Sequence, residues 1–527
     1  MKKNNFKLLK LVLIIISILI LFNATVSIEN CTLEAQTSKE YTPTQIKTPQ
    51  LSIETAWNPN GTAICSANDI QYSPQLCSDG AGGAIITWFD NRSGNFNIYA
   101  QGIDSKGVLM WTIDGVAICT ASGSQEEPQI CSDGAGGAII VWQDYRASNW
   151  DIYAQNVDSN GNMKWTPDGV AICTTTGSDY PQICSDGTGG AIIVWQDYRH
   201  FGDIYAQRIN SSGNVKWINN GIPICTADDA QWFHKTCSDG AGGALIIWTD
   251  YRIDPDGDIY AQKVDHNGQT IWADNGTAIC TDDTFEIFPQ ICNDGTGGAI
   301  MTWMDYRSDM DWDIYAQKVD TNGMIEWTPN GIGVFVSWLI PQLEPQICSD
   351  GAGGAIITWE DYRNYADSDI YAQRVDTNGV KKWASQGIPI CTEYDEQYRP
   401  QICSDENGGA IITWYDFRSG LNADIYAQGI ESNGVVKWTP NGTAVCTADD
   451  SQHEPKICSD GTGGAIITWM DFRNEPFIGD IYCQRITETR DGGTEAISFG
   501  YNFLFFTILS MLFLIILTRR RVFHKFK

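Results

Sequence analysis

From about residue 57 to 487 the chain alternates short apolar runs with glycine-rich polar breaks, and the alternation repeats. The run Ala138-Ile139-Ile140-Val141-Trp142 is apolar at every position, the pattern of a strand buried on both faces. Before it stand Pro128-Gln129-Ile130-Cys131 and the break Asp133-Gly134-Ala135-Gly136-Gly137. After it come Asp144-Tyr145-Arg146, then Asp151-Ile152-Tyr153-Ala154-Gln155, a second break at Asp158-Ser159-Asn160-Gly161, and Trp165 leading into Gly169-Val170-Ala171-Ile172-Cys173. Each copy therefore predicts four short strands. Pro-Gln-Ile-Cys (as at Pro181 to Cys184) is the first and Gly-Ala-Ile-Ile-x-Trp the second. Asp-Ile-Tyr-Ala-Gln is the third, and the segment from Trp217 to Cys225 exemplifies the fourth.

The first break recurs at Asp79, Asp133, Asp186, Asp239, Asp294, Asp350 and Asp460, with the variant Asp405-Glu406-Asn407-Gly408-Gly409. The interval is 53 to 56 residues. A four-stranded antiparallel unit at this period is a propeller blade. The tryptophans predict how the ring closes. Eight occupy the second strand, from Trp88 to Trp469, but only seven follow the third, from Trp111 to Trp438. The eighth stands at the other end, where Trp57 to Cys65 reads as a fourth strand with no blade before it. The sequence thus predicts an all-β, eight-bladed β-propeller over 57–487, its last blade completed by the N-terminal strand.

The turn Asp158-Ser159-Asn160-Gly161-Asn162-Met163-Lys164-Trp165, with copies at Asp265 to Trp272, Asp320 to Trp327 and Asp376 to Trp383, resembles a degenerate Asp-box of sialidase-like propellers. It departs from that family in one extra residue between Gly and Trp and in lacking the Thr before Trp. The resemblance implies a propeller with these turns on the face opposite any active site. The family's arginine cluster cannot be placed on this chain, because every candidate arginine belongs to a repeated Asp-x-Arg unit. The expected role of that unit is structural pairing, as in Asp144 with Arg146 and Asp250 with Arg252; the alternative is a ring of guanidiniums around one channel mouth.

Charge and the two ends add an address. The net charge of −30 disfavours nucleic acid as a partner. Lys2, Lys3, Lys7 and Lys10 precede the apolar run Leu11 to Phe22, so residues 1–27 are read as a signal peptide. Residues 28–56, rich in Thr and Pro, are read as a linker, and 488–497 as a second, shorter one. Ser498 to Thr518 is an uncharged apolar stretch of 21 residues, the length of a membrane-spanning helix. Arg519, Arg520 and Arg521 open a basic tail (519–527) expected on the cytoplasmic side. The expectation is a monomeric ectodomain outside the cell on one membrane helix.

Seven cysteine pairs lie 11 to 12 residues apart, such as Cys119 and Cys131. In a propeller one member falls on an outermost strand and the next on an innermost one, three strand spacings or about 14 Å apart across a blade. That is beyond the roughly 7 Å of a disulfide, so buried free thiols are expected. No cofactor and no metal site is predicted. Strand direction puts the monotonous glycine turns on one face and the divergent loops on the other. Four tryptophans outside the repeat (Trp150, Trp232, Trp312, Trp338) fall on that variable face, with His234 and Tyr398. The histidines His200, His234, His266 and His453 read as loop or turn residues. Aromatics among carboxylates on a rigid scaffold suit a glycan or protein partner. A non-catalytic recognition or adhesion module is the leading expectation, with a sialidase-like glycoside hydrolase and a passive surface-coat component as alternatives.

Overall fold

The computed structural model describes residues 52–489 except 176, 254, 309, 310, 366, 476 and 477. The segments read as signal peptide, membrane helix and basic tail lie outside the described residues. The all-apolar run becomes the strand Ala138–Asp144, buried along its whole length. It pairs antiparallel with the innermost strand Gln125–Ser132 and with Asp151–Val157, which in turn carries the outer strand Val170–Cys173. Six more sheets repeat this order, and an eighth is assembled from both ends of the described chain. The architecture is an eight-bladed β-propeller of four-stranded antiparallel blades, with an added strand in the last.

Two strand boundaries differ from the sequence reading, each for a physical reason. The innermost strand starts three residues ahead of its proline, at Gln125 rather than Pro128. The proline sits in a β-bulge, where its missing N–H removes no ladder bond. The outer strand has only four residues, because Trp165 precedes it in a connection. There its backbone N–H donates to the Gln155 side chain at 3.0 Å instead of to a neighbouring strand.

No blade has a core of its own. Ile139, Val141, Ile152 and Ala154 of one blade pack against Ala191, Ile193 and Trp195 of the next, and the same holds around the ring. The second-strand tryptophan is fully buried in every blade. Trp142 donates its indole N–H to Asp144 Oδ2 at 2.9 Å. Arg146 donates to both oxygens of that carboxylate (2.8 and 2.6 Å), to the Asp168 carbonyl (2.8 Å) and to Cys119 Sγ of the preceding blade (3.3 Å). Its guanidinium lies 3.7 Å over the Tyr153 ring. Asp250 and Arg252 form the same pair at 2.5 Å. Outer tryptophans latch one blade to the next: Trp111 donates to the Ser159 carbonyl at 3.0 Å, and Gly161 of that turn (φ +82°) lies so close to the ring that a Cβ would fall 2.8 Å from it.

Closure reuses these contacts across the whole sequence. Thr62–Cys65 pairs with Ile478–Thr489, and Trp57 N donates to Gln484 Oε1 at 3.1 Å as Trp165 does to Gln155. Trp57 Nε1 then reaches the Ser105 carbonyl of the first blade at 3.2 Å. Ser52–Thr55, in the stretch read as linker, is a strand on the same edge (Ser52↔Thr489, Thr55↔Ile486). The last blade is split between the two ends, and Trp438, which packs toward it, has an indole N–H buried without a partner among the described residues.

The described cysteines are all free and buried or half-buried, and burial pushes the Cys119 thiol up to about 12. In the native protein a thiol reagent should therefore label few of the 17 cysteines, and all of them after denaturation; a non-reducing mass map showing bridged pairs would contradict this strand order. Asp144→Ala strands an indole N–H and a guanidinium in the interior and should cost about 3 kcal/mol, read from chemical denaturation.

Candidate functional site

Each innermost strand carries a β-bulge opposite the core tryptophan. In the first blade Tyr72 pairs with Phe89 and Gln75 with Thr87, so Ser73 and Pro74 together oppose Trp88. The first bulge residue has a left-handed backbone in all eight copies, with φ between 48° and 56°. These residues are Ser73, Glu127, Tyr180, Phe233, Phe288, Glu344, Arg399 and Glu454. Left-handed φ is uncommon for side chains this bulky and costs on the order of 1 kcal/mol or more at each site. Neighbouring blades help to hold it: Gln143 Oε1 accepts the Tyr180 N–H at 3.3 Å, and Glu360 Oε1 accepts that of Arg399 at 2.6 Å. Bulges re-aim side chains. Here they turn a ring of unlike residues toward the channel at its variable face.

Five of the eight line a cavity of about 680 Å³ at that mouth. Tyr180, Phe233 and Phe288 form an aromatic arc over three consecutive blades, with the Phe233 and Phe288 rings 4.6 Å apart. Trp232 extends the arc, edge-on to Phe233 at 6.4 Å and to Tyr251 at 5.3 Å. The next two blades present Glu344 and Arg399, the latter paired with Glu454 at 3.1 Å. Glutamines 182, 290, 346 and 401, with Lys235 and Lys456, line the wall below.

Of the residues singled out from sequence, Trp232 and His234 line this cavity; Trp150, Trp312, Trp338 and Tyr398 do not. Trp150 packs on Tyr145 (5.0 Å), Trp312 on Tyr306 (5.1 Å), and Tyr398 on Tyr415 (5.8 Å). Trp338 stands 69% exposed in its loop. His234 and His453, read as loop residues, lie on innermost strands, which begin earlier than the proline-based boundary implied. His453 packs edge-on against Tyr415 at 5.3 Å. His200 and His266 are in a loop and a turn. None of the Asp-x-Arg guanidiniums lines this cavity, and each is paired with the aspartate of its own unit.

The arc itself was missed. Tyr180, Phe288 and Arg399 stand one residue before the repeated proline, a position the sequence reading left with the scaffold. The signal was present: aligned copies read Ser, Glu, Tyr, Phe, Phe, Glu, Arg, Glu there, and this position and the one before it vary in an otherwise monotonous strand.

Among the described residues, Cys280, Glu286 and Asp305 converge as potential metal donors. Arg307 already fills that place, with Nη2 3.1 Å from Cys280 Sγ and 2.5 Å from Asp305 Oδ2. Glu286 stands where six blades have glutamine and one has serine; burial, with the Asp305 charge, pushes it up to about 9. At neutral pH it is protonated, and its carboxylic acid can serve in the amide's place.

His234 occupies the proline position of the other seven blades. It is 4% exposed, and its Nε2 has no hydrogen-bond partner. Burial, reinforced by the Lys235 charge, pulls it down to about 4. An unfolded histidine binds its proton near pH 6.5, so between about 6.5 and 4 the unfolded chain takes up a proton that the folded one refuses. Stability from this residue is complete above pH 6.5 and falls as pH drops toward 4. His234→Pro should remove roughly 2–3 kcal/mol of that acid-side loss, seen as a flatter melting-temperature profile over the same window than in the unsubstituted protein.

No family model matches this sequence, so the resemblance to sialidase-like propellers has no family match behind it. No curated protein matches it either. Among solved structures the chain is similar to the BP39L lectin from Burkholderia pseudomallei, at 11% identity over 72% of this chain and 100% of that one, with a TM-score of 0.44. It is similar to an ulvan lyase, a polysaccharide lyase, at 10% identity over 66% and 89%, TM-score 0.43. It is also similar to the β-propeller domain of the trilobed protease from Pyrococcus furiosus, at 10% identity over 72% and 99%, TM-score 0.42. Likeness at this level assigns no activity.

Proposed function

We propose that this chain is an exported, membrane-tethered recognition module whose channel mouth binds a glycan. The observation that carries the reading is the aromatic arc of Tyr180, Phe233 and Phe288, fixed on strained bulges and faced by Glu344 and Arg399 across one cavity. Aromatic faces stack on the apolar faces of sugar rings, while glutamine, carboxylate and guanidinium groups bond the hydroxyls between them. The arc sits on innermost strands rather than on loops, so little ordering entropy is lost on binding. Export and tethering rest on the basic-apolar start and the apolar stretch with its arginine flank. The non-catalytic reading is favoured over hydrolysis by the lining of the cavity. A glycosidase flanks the scissile bond with two carboxyl groups, whereas Glu344 is the one carboxylate among the cavity-lining residues.

The detergent-solubilised full-length chain should bind a subset of a glycan array. Phe233→Ala and Phe288→Ala should each weaken that binding about tenfold, consistent with an aromatic contact worth roughly 1–1.5 kcal/mol. Trp338→Ala, in an exposed loop away from the cavity, should leave it unchanged. Release of reducing sugar from the bound glycan would overturn the non-catalytic reading. Binding that is insensitive to both phenylalanine substitutions would overturn the site.

A further inference from the structure

Two residues further along each innermost strand than the bulge residue stands the glutamine of Pro-Gln-Ile-Cys. Six blades keep it, as Gln75, Gln129, Gln182, Gln290, Gln346 and Gln401. The fourth and eighth blades replace it with Lys235 and Lys456. In a ring of eight these positions are half a turn apart, so the two ammonium groups enter the same cavity from opposite walls.

Both lysines are paired through their backbones, opposite Ile247 and Thr468, but neither ammonium group has a hydrogen bond or an ion pair among the described residues. Lysines elsewhere in the ring are treated differently. Lys318 on a third strand and Lys437 in the connection after one each reach the aspartate of their own glycine turn, at 3.4 and 2.9 Å. Glu344 lines the same cavity and favours the charged form of both lysines, as Glu454 and Glu127 do for Lys456, but none of these carboxylates is in ion-pair contact with either; Glu454 is engaged by Arg399, and Glu360 caps a backbone N–H. Burial and the opposing charge of Lys456 bring Lys235 down to about 8, and burial lowers Lys456 as well. Two like charges in one cavity with no carboxylate in direct contact with either destabilise a rigid ring, and a scaffold that uses glutamine six times has a neutral option at hand.

We infer that the channel holds an oxyanion between Lys235 and Lys456, beneath the aromatic arc, and that the ligand is a glycan bearing a carboxylate or sulfate group. The glycan part rests on the function proposed above; the anion site stands on the lysines alone. The flanking glutamine amides can donate further hydrogen bonds to the same oxygens. Because the chain as a whole carries −30, indiscriminate capture of polyanions is disfavoured, and recognition of the acidic group falls to the cavity itself.

The test is calorimetric titration of the full-length protein with inorganic sulfate, with glucuronate, and with matched tetrasaccharides that are neutral, uronate-containing or sulfated. The variants are K235Q/K456Q, which restores the residue of the other six blades and so leaves folding intact, and Phe233→Ala. The unsubstituted protein should prefer an acidic tetrasaccharide over the neutral one by at least tenfold, and the uronate and sulfate arms identify which group is read. K235Q/K456Q should abolish that preference and the binding of the free anions, while Phe233→Ala should weaken all tetrasaccharides yet leave the free anion unaffected. Equal binding of neutral and acidic tetrasaccharides, or anion binding unchanged in K235Q/K456Q, would overturn the inference while leaving glycan recognition standing. Lysine-dependent binding of sulfate or glucuronate with no tetrasaccharide bound would do the reverse.

Discussion

Every blade turns on one buried carboxylate. The aspartate that ends the second strand is fully enclosed in all eight copies. It takes the indole N–H of the tryptophan two residues earlier, as in Trp195 to Asp197 at 3.0 Å, and the guanidinium two residues later, at 2.7 Å. A carboxylate in such a place is tolerable only because its lone pairs are filled, and filling them orients the groups around it. The tryptophan ring is locked into the seam between blades, the arginine is laid over a tyrosine, and its free N–H groups reach a turn carbonyl and the cysteine of the preceding blade. Where phenylalanine replaces that cysteine, Phe335 answers by stacking on Trp359 and under Arg363, so the seam keeps its packing with different chemistry.

Since each core is shared between neighbours, the ring is stable only when it closes. The N-terminal strand supplies the eighth outer edge through the same bonds that the other blades make locally. Next to the split blade, Trp438 keeps an indole N–H that is buried without a partner among the described residues. This redundancy frees other positions. A scaffold held eight times over by the same network can tolerate eight strained bulges and can vary what they carry. The candidate site is made in this way. One arc of the mouth is aromatic and the next is charged, although every residue in it sits on an equivalent piece of backbone.

The strand count, the turns and the closure were legible because each is enforced locally: glycines where φ must be positive, an unbroken apolar run where both faces are buried, one tryptophan per seam. The loop tryptophans were harder to read for the complementary reason, and the structure divides them, with Trp232 lining the cavity. A large aromatic in a variable loop reads as available for binding, but Trp150 and Trp312 find partners in Tyr145 and Tyr306, their neighbours in the same loops, and are largely consumed there. His234 was drawn out of its strand by the loss of a proline that served as the strand marker.

The sequence by itself determined the architecture, because a period repeated eight times with a displaced eighth tryptophan leaves a closed ring as the arrangement that buries every seam. Tertiary structure alone decided where recognition chemistry gathers. Tyr180, Phe233, Phe288, Glu344 and Arg399 are separated by 53 to 56 residues along the chain and share no local motif. They meet because a bulge in each innermost strand points toward one axis, and an axis exists only after the eight blades have packed around it.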